Sequence, residues 1–137
     1  MANNFDALHD YHVTSVMVDA VEKAVVVRAA YPDRRGPEFA EAVFHGVAAY
    51  RFDGDALGTI LFEIVEVDPV ELYLRYAGPM QTTIHQCGGH APWAETEEMA
   101  RQFIVERKLR GFIIQSSIGL TGAIWAADCR TRTLTKL

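Results

Sequence analysis

Residues 84–93 contain the side chains that most clearly suggest chemistry, in the pattern His85-x-Cys87-x-x-His90. Thiolate and imidazole groups bind zinc well, and zinc takes four protein ligands in structural sites or three plus a water in catalytic sites. The Gly88-Gly89 pair would let the chain fold back so that His90 meets Cys87. The pattern raises the hypothesis of a zinc site at His85, Cys87 and His90. The residues eligible as a fourth ligand are His9, His12, His45 and Cys129.

Cys87 also suggests a second chemistry, that of a nucleophilic thiolate. A neighbouring imidazole, from His85 or His90, would favour the thiolate, and Asp10 or Glu95 would orient that imidazole. The competing interpretation is a plain loop, in which the glycines adopt a positive φ and Cys87 packs as a small apolar group. The spacing matches none of the paired-ligand patterns typical of zinc sites. We therefore favour the loop and assign no catalytic residue.

The loop interpretation makes residues 78–95 a long connection without a clear helix or strand. Compact domains rarely contain such a connection unless it has a task or hides a short strand, for which residues 81–86 are the candidate. Trp93 would anchor this loop in the core or be exposed for a partner.

Acidic residues are concentrated in the first half of the chain. Residues 1–68 hold twelve acidic and five basic side chains, whereas residues 69–137 hold six and eight. This balance argues against nucleic-acid binding, because affinity for phosphate backbones comes largely from clustered Lys and Arg. It suits a basic protein partner instead, since complementary charge raises the association rate and specificity. The residues predicted to bind that partner, besides Trp93, are Asp53, Asp55, Glu63, Glu66 and Asp68.

The pattern of apolar residues predicts about six strands and one secure helix. The strands are expected at residues 12–18, 24–31, 39–52, 59–67, 109–116 and 121–129. Residues 96–108 are expected to form an amphipathic helix, with acidic residues at its start and basic residues at its end. Residues 69–77 alternate like a strand, but Asp68 and Pro69 form a good helix start, and we favour a short helix there.

Most connections between the predicted strands are too short for parallel crossovers, so the sheet should be mainly antiparallel and the fold α+β. The 137 residues, half of them apolar, are expected to form a single domain spanning residues 1–137. No apolar run approaches the roughly 20 residues that span a bilayer, and no leader segment is recognisable. Two cysteines are too few for a secreted disulfide scaffold, so a cytoplasmic protein is expected.

Three segments together resemble a known group of proteins: LHDYHVTSVMVDAVEKAVVVRA, VFHGVAAYRFDGD and GFIIQSSIGLTGAIWAADC. Their order resembles a diffuse group of small uncharacterised bacterial proteins, some of which are assigned as immunity proteins of polymorphic toxin systems. The resemblance implies a small cytoplasmic β-rich protein that binds another protein, such as a toxin. It supplies no catalytic residues and no cofactor.

Three functions therefore stand as hypotheses. The first is a non-enzymatic, immunity-protein-like domain that binds a protein partner. The second is a zinc-binding or cysteine-dependent enzyme centred on His85, Cys87 and His90. The third is a structural homodimer, because exposed strand edges in small antiparallel sheets are often paired or covered.

Overall fold

The computed structural model describes residues 8–32, 38–54, 57–76, 94 and 96–134. Within these residues the chain forms eight strands and two helices. The strands are β1 (His12–Asp19), β2 (Ala24–Tyr31), β3 (Glu38–His45), β4 (Ala49–Asp53), β5 (Ile60–Val67), β6 (Arg110–Ile118), β7 (Thr121–Ala126) and β8 (Asp128–Leu134). The helices are α1 (residues 69–76) and α2 (Glu97–Arg107). Neither helix is long and apolar enough to cross a membrane.

The strands form one sheet in the order β4-β7-β6-β5-β1-β2-β3-β8. Every pair of neighbours in that order is antiparallel, which confirms the predicted α+β class with a mainly antiparallel sheet. The strands predicted at residues 12–18 and 24–31 form a hairpin, β1–β2, with Asp19 paired to Ala24 next to the turn.

The prediction of about six strands was too low, because two long segments each bend and divide. Residues 39–52 were expected to be one strand, but β3 ends at His45, and the next residue, Gly46, has a φ of 62°. Residues 121–129 likewise divide at Ala127 into β7 and β8. The two bends lie opposite each other, and the Ala127 N–H donates a hydrogen bond to the His45 carbonyl at 2.9 Å.

These opposed bends bring the two ends of the strand order together. The pairing of His45 with Asp128 gives way to the pairing of Ala49 with Trp125, so three residues of one strand oppose two of the other, as in a β-bulge. Because β3 continues into β4 and β7 continues into β8, the sheet curls around an interior. That interior is the first hydrophobic core, which includes Val25, Val27, Ala42, Phe44, Leu61, Ile64, Phe112, Ile114 and Ile124.

A second core lies between the two helices and the side of β4, β6 and β7 that points away from the first core. Alternation along β7 places Ile124 in the first core and Trp125 in the second. The indole of Trp125 is buried, and its Nε1 donates a hydrogen bond to the Pro69 carbonyl at 3.0 Å. The other members of the second core include Leu72, Tyr73, Ala100, Ile104, Ile113 and Ala123.

Both helices begin with an N-cap side chain, which for α1 is the predicted Asp68. The Asp68 carboxylate accepts hydrogen bonds from the Val70 and Glu71 amides at 2.9 and 3.0 Å, which confirms a helix over residues 69–76. Thr96 accepts a hydrogen bond from the Met99 amide at 3.1 Å and caps α2. Lys108 ends α2 with a φ of 52°.

Candidate functional site

A cleft of about 550 Å³ opens where the β1–β2 turn, the bend between β3 and β4, and the end of α2 meet. Its size lies within the roughly 300–1,000 Å³ range of small-molecule sites. Apolar groups form most of its wall, and Tyr50 and Phe103 add two aromatic rings. The residues that line it are Val18, Asp19, Ala20, Lys23, Ala24, Val25, Val47, Ala48, Ala49, Tyr50, Phe103 and Arg107.

Contacts within the described residues position the charged groups of the cleft, and none of these contacts pairs Lys23 or Arg107 with a carboxylate. Lys23 has a φ of 53°, and its carbonyl accepts a hydrogen bond from the Val47 amide at 2.8 Å. The Arg107 guanidinium lies 4.3 Å from the centre of the Phe103 ring, a cation–π contact. The Asp19 carboxylate accepts hydrogen bonds from the Val21 and Glu22 amides of the turn. Among the residues that the structure describes, two cations and one carboxylate therefore line the cleft.

A second notable surface is the face of β1, β2, β3 and β8 that points away from the first core, which we call the outer sheet face. The strand register arranges it in rows. One row contains Met17, Val26, Val43 and Arg130; the next contains Ser15, Arg28, Glu41 and Arg132; the third contains His12, Ala30, Phe39 and Leu134. The helices pack on other strands, against Ile113, Ala123 and Trp125.

The middle row centres on a buried carboxylate. Glu41 is 2% exposed and lies between two arginines from the adjacent strands. The Arg28 Nε donates to one oxygen of Glu41 at 3.2 Å, and the Arg132 Nε donates to the other. Within the described residues, these are the only hydrogen bonds that the two guanidinium groups make. Because each guanidinium has five N–H donors, both arginines retain donors that face solvent.

A further charge network lies where β5, β6 and β8 meet. Arg110 donates to both oxygens of Glu66, at 3.0 and 2.6 Å, and to Asp128 at 3.1 Å. Hydrogen bonding to Glu66 raises the pKa of Arg110, and hydrogen bonding from Arg130 lowers the pKa of Asp128. Arg110 also lies over the Phe112 ring, at 5.4 Å from its centre.

The adjacent Cys129 is held as a neutral thiol. Its side chain is buried in the first core, and this burial, together with the Asp128 carboxylate, raises the pKa of the thiol to about 12. A thiol in that environment is a poor nucleophile and a poor metal ligand at neutral pH, because both roles require the thiolate.

The acidic residues predicted to bind a partner do not share one face. Alternation along β5 places Glu63 on the side of Val67, which packs in the second core, and Glu66 on the opposite side with Ile64. Asp53 is exposed and pairs with Arg51 at 3.2 Å.

Three of the predicted acids thus have partners within the chain. Asp53 pairs with Arg51, Glu66 pairs with Arg110, and Asp68 caps α1. Of the remaining three residues predicted to bind a partner, Glu63 lies on β5, and Asp55 and Trp93 lie outside the described residues.

The residues predicted to bind zinc, His85, Cys87 and His90, lie outside the described residues as well. Of the candidates for a fourth ligand, His12 and His45 are exposed strand residues, and Cys129 is buried. His9 lies 3.4 Å from Asp10. In the part of the chain that is described, no three His, Cys, Asp or Glu side chains form a group able to hold a metal ion.

Sequence reasoning did not identify the cleft or the Arg28–Glu41–Arg132 row. Glu41 and Arg132 are 91 positions apart, and only the pairing of β3 with β8 brings them together. The available signal was Arg28, the one charged residue in the otherwise largely apolar β2.

In comparisons with known proteins, no family model, no curated protein and no solved structure matches this chain.

Proposed function

We propose that this chain is a protein-binding domain that holds an acidic partner against its outer sheet face. The observation that supports this is the composition of that face. An antiparallel sheet that is solvated on one side usually presents polar residues there. Here the rows on either side of Glu41 are largely apolar: Met17 is 51% exposed, and Val26, Val43 and Phe39 are each partly exposed.

The middle row favours a partner with carboxylates. Arg28 and Arg132 share one carboxylate, so the row has an excess of positive charge. Glu41 orients both guanidinium groups, which reduces the side-chain freedom that binding would otherwise have to remove. An arginine fork can form two hydrogen bonds to a carboxylate of the partner. Arginine and methionine are also enriched at protein interfaces.

The partner is therefore a protein surface with an acidic residue among apolar ones. Two copies of this chain meeting through the same face would oppose two arginine pairs, and like charges in close contact are unfavourable. The resemblance to immunity proteins makes a toxin encoded beside this gene the first partner to test. This proposal of an acidic partner differs from the basic partner that the acidic residues led us to expect. The two hypotheses therefore require partners of opposite charge.

The test compares two charge reversals of equal size. Arg132→Glu changes the middle row, and Arg101→Glu changes an arginine of α2 that is similarly exposed, at 60% against 68%. Binding of the purified toxin is measured by calorimetry. We expect Arg132→Glu to weaken binding by about tenfold to a hundredfold, since charge-assisted contacts contribute roughly 1.5–3 kcal/mol, and Arg101→Glu to leave it unchanged.

Equal affinities of the two variants would overturn the proposal. Sedimentation of the wild-type chain addresses the homodimer. A dimer that dissociates in Arg132→Glu would assign the outer sheet face to self-association instead of to a partner.

A further inference from the structure

We propose that the cleft beside the β1–β2 turn binds a small amphipathic carboxylate, a molecule with an apolar body and one anionic group. This ligand site is separate from the outer sheet face and does not depend on the protein-binding function. The cleft combines the volume, the lining and the charge that such a molecule requires.

The apolar part of the ligand is accommodated by the side of the cleft that borders the closed sheet. Val25 is buried, Val47 is partly buried against the first core, and Ala48 is partly buried against the second. These small and branched side chains leave open a volume of about 550 Å³. An aliphatic chain of about ten carbons fits within a cleft of this size, because ligand sites of roughly 300–1,000 Å³ accept drug-sized molecules.

The anionic group is accommodated by Lys23 and Arg107. Lys23 comes from the β1–β2 turn and Arg107 from the last turn of α2, and both line the cleft. Contacts of the Lys23 backbone with Val47 and of the Arg107 guanidinium with Phe103 hold the two residues in place. Within the described residues, no carboxylate forms an ion pair with either cation. Two cationic residues that line the same cleft favour an anionic ligand.

Asp19 limits which anions are accepted. Its Oδ1 is occupied by the Val21 and Glu22 amides, but its negative charge remains at the cleft. Counted over the described lining residues, one carboxylate against two cations leaves a single excess positive charge. A ligand with one negative charge matches this balance better than a phosphate or a dicarboxylate, whose second charge would meet Asp19.

The first experiment locates the site with a fluorescent amphipathic anion, anilinonaphthalene sulfonate. Ala20→Trp places a large ring at the exposed rim of the cleft, whereas Val21→Trp adds the same ring at the next turn position, which is 87% exposed and outside the cleft. We expect saturable binding at one site, weakened about tenfold by Ala20→Trp and unaffected by Val21→Trp. Absence of binding, or equal binding by the two variants, would overturn the proposal.

The second experiment tests the charge. Decanoate and decanol share an apolar chain and differ in the anionic group, and each is titrated against the bound probe. We expect decanoate to displace the probe about tenfold better, and the double variant Lys23→Gln/Arg107→Gln to abolish that preference. Arg101→Gln, outside the cleft, serves as the control. Equal displacement by the two compounds in the wild-type chain would refute carboxylate recognition.

Discussion

Arg28 of β2 and Glu41 of β3 are paired across the sheet, with the arginine Nε 3.2 Å from the carboxylate Oε2. Glu41 is 2% exposed, yet it lies on the outer sheet face instead of in either core. The two arginines beside Glu41 therefore shield its carboxylate from solvent and also form ion pairs with it. The middle row therefore stabilises the sheet and also holds two guanidinium groups in place for a partner.

The carboxylate of Glu41 should contribute measurably to stability. Glu41→Gln keeps the shape of the side chain but leaves two arginines without their shared anion. We expect the free energy of unfolding to fall by about 1–3 kcal/mol, because hydrogen bonds to a buried charged group are strong and the arginines remain partly solvated. Urea unfolding measures the change. Glu63→Gln on β5 is the control and should cost less than about 0.5 kcal/mol; equal losses would contradict the assigned role of Glu41.

Gly46 should be required for the bend between β3 and β4. Its φ is 62°, and a Cβ at this position would lie 2.9 Å from the Cβ of Ala127. Gly58 also has a positive φ, of 76°, but a Cβ added there would meet no atom of the described residues within 4 Å. Gly46→Ala therefore adds a steric clash to a conformational strain that Gly58→Ala shares.

Thermal or urea unfolding of the two alanine variants separates these effects. Each should lose roughly 1–2 kcal/mol from the positive φ, and Gly46→Ala should lose about 1–3 kcal/mol more from overpacking. Matching losses would show that the bend tolerates a side chain.

The parts of the fold that were predicted correctly depend on local signals. The Val25-Val26-Val27 run favours a strand, and the caps at Asp68 and Thr96 start helices wherever the rest of the chain lies. The division of residues 39–52 was missed because their alternation continues through Gly46. The bend is decided by the opposing Ala127, which is distant in the sequence.

The cleft and the predicted acidic cluster were less predictable than the fold, because they also depend on contacts between residues distant in the sequence. Lys23 and Arg107 meet at the cleft only because the end of α2 packs near the β1–β2 turn. Glu63 and Glu66 are close enough in sequence to suggest one acidic cluster, but the pleat of β5 turns them to opposite faces. Charge counts along a chain do not contain this information.

The acidic-cluster hypothesis has a direct test against the outer sheet face. Asp68→Asn removes a charge and retains a good N-cap, so α1 should remain stable. Combined with Glu63→Gln, it removes two of the predicted partner-binding charges. If the partner binds the outer sheet face, this double variant should bind the toxin with unchanged affinity, as measured by calorimetry. Slower association in this double variant, with Arg132→Glu unaffected, would instead favour a basic partner.

The metal hypothesis can be tested by elemental analysis. We expect the purified chain to contain no stoichiometric zinc, since the spacing of His85, Cys87 and His90 matches no paired-ligand pattern. Dialysis against a chelator should then leave thermal stability unchanged. Stoichiometric zinc that is lost in both His85→Ala and Cys87→Ala would establish the metal site and revive the enzyme hypothesis.

The buried thiol of Cys129 should make the protein sensitive to alkali. Its folded-state pKa, raised to about 12 by burial, exceeds the 9.0 of an ordinary thiol. The folded state therefore favours the neutral thiol, and its contribution to stability is complete below pH 9.0 and is lost as the pH rises towards about 12. Each pH unit within this window should cost about 1.4 kcal/mol.

The measurement is the free energy of unfolding of Cys129→Ala and of the wild-type chain between about pH 8 and 11. Cys129→Ala should be less stable at neutral pH, because it leaves a small cavity in the first core, but its stability should decline less with pH. Tyr11, whose pKa is also raised by burial and by its bond to Glu38, contributes to the residual slope of both proteins. Parallel curves for the two proteins would show that Cys129 does not ionise differently in the folded and unfolded states.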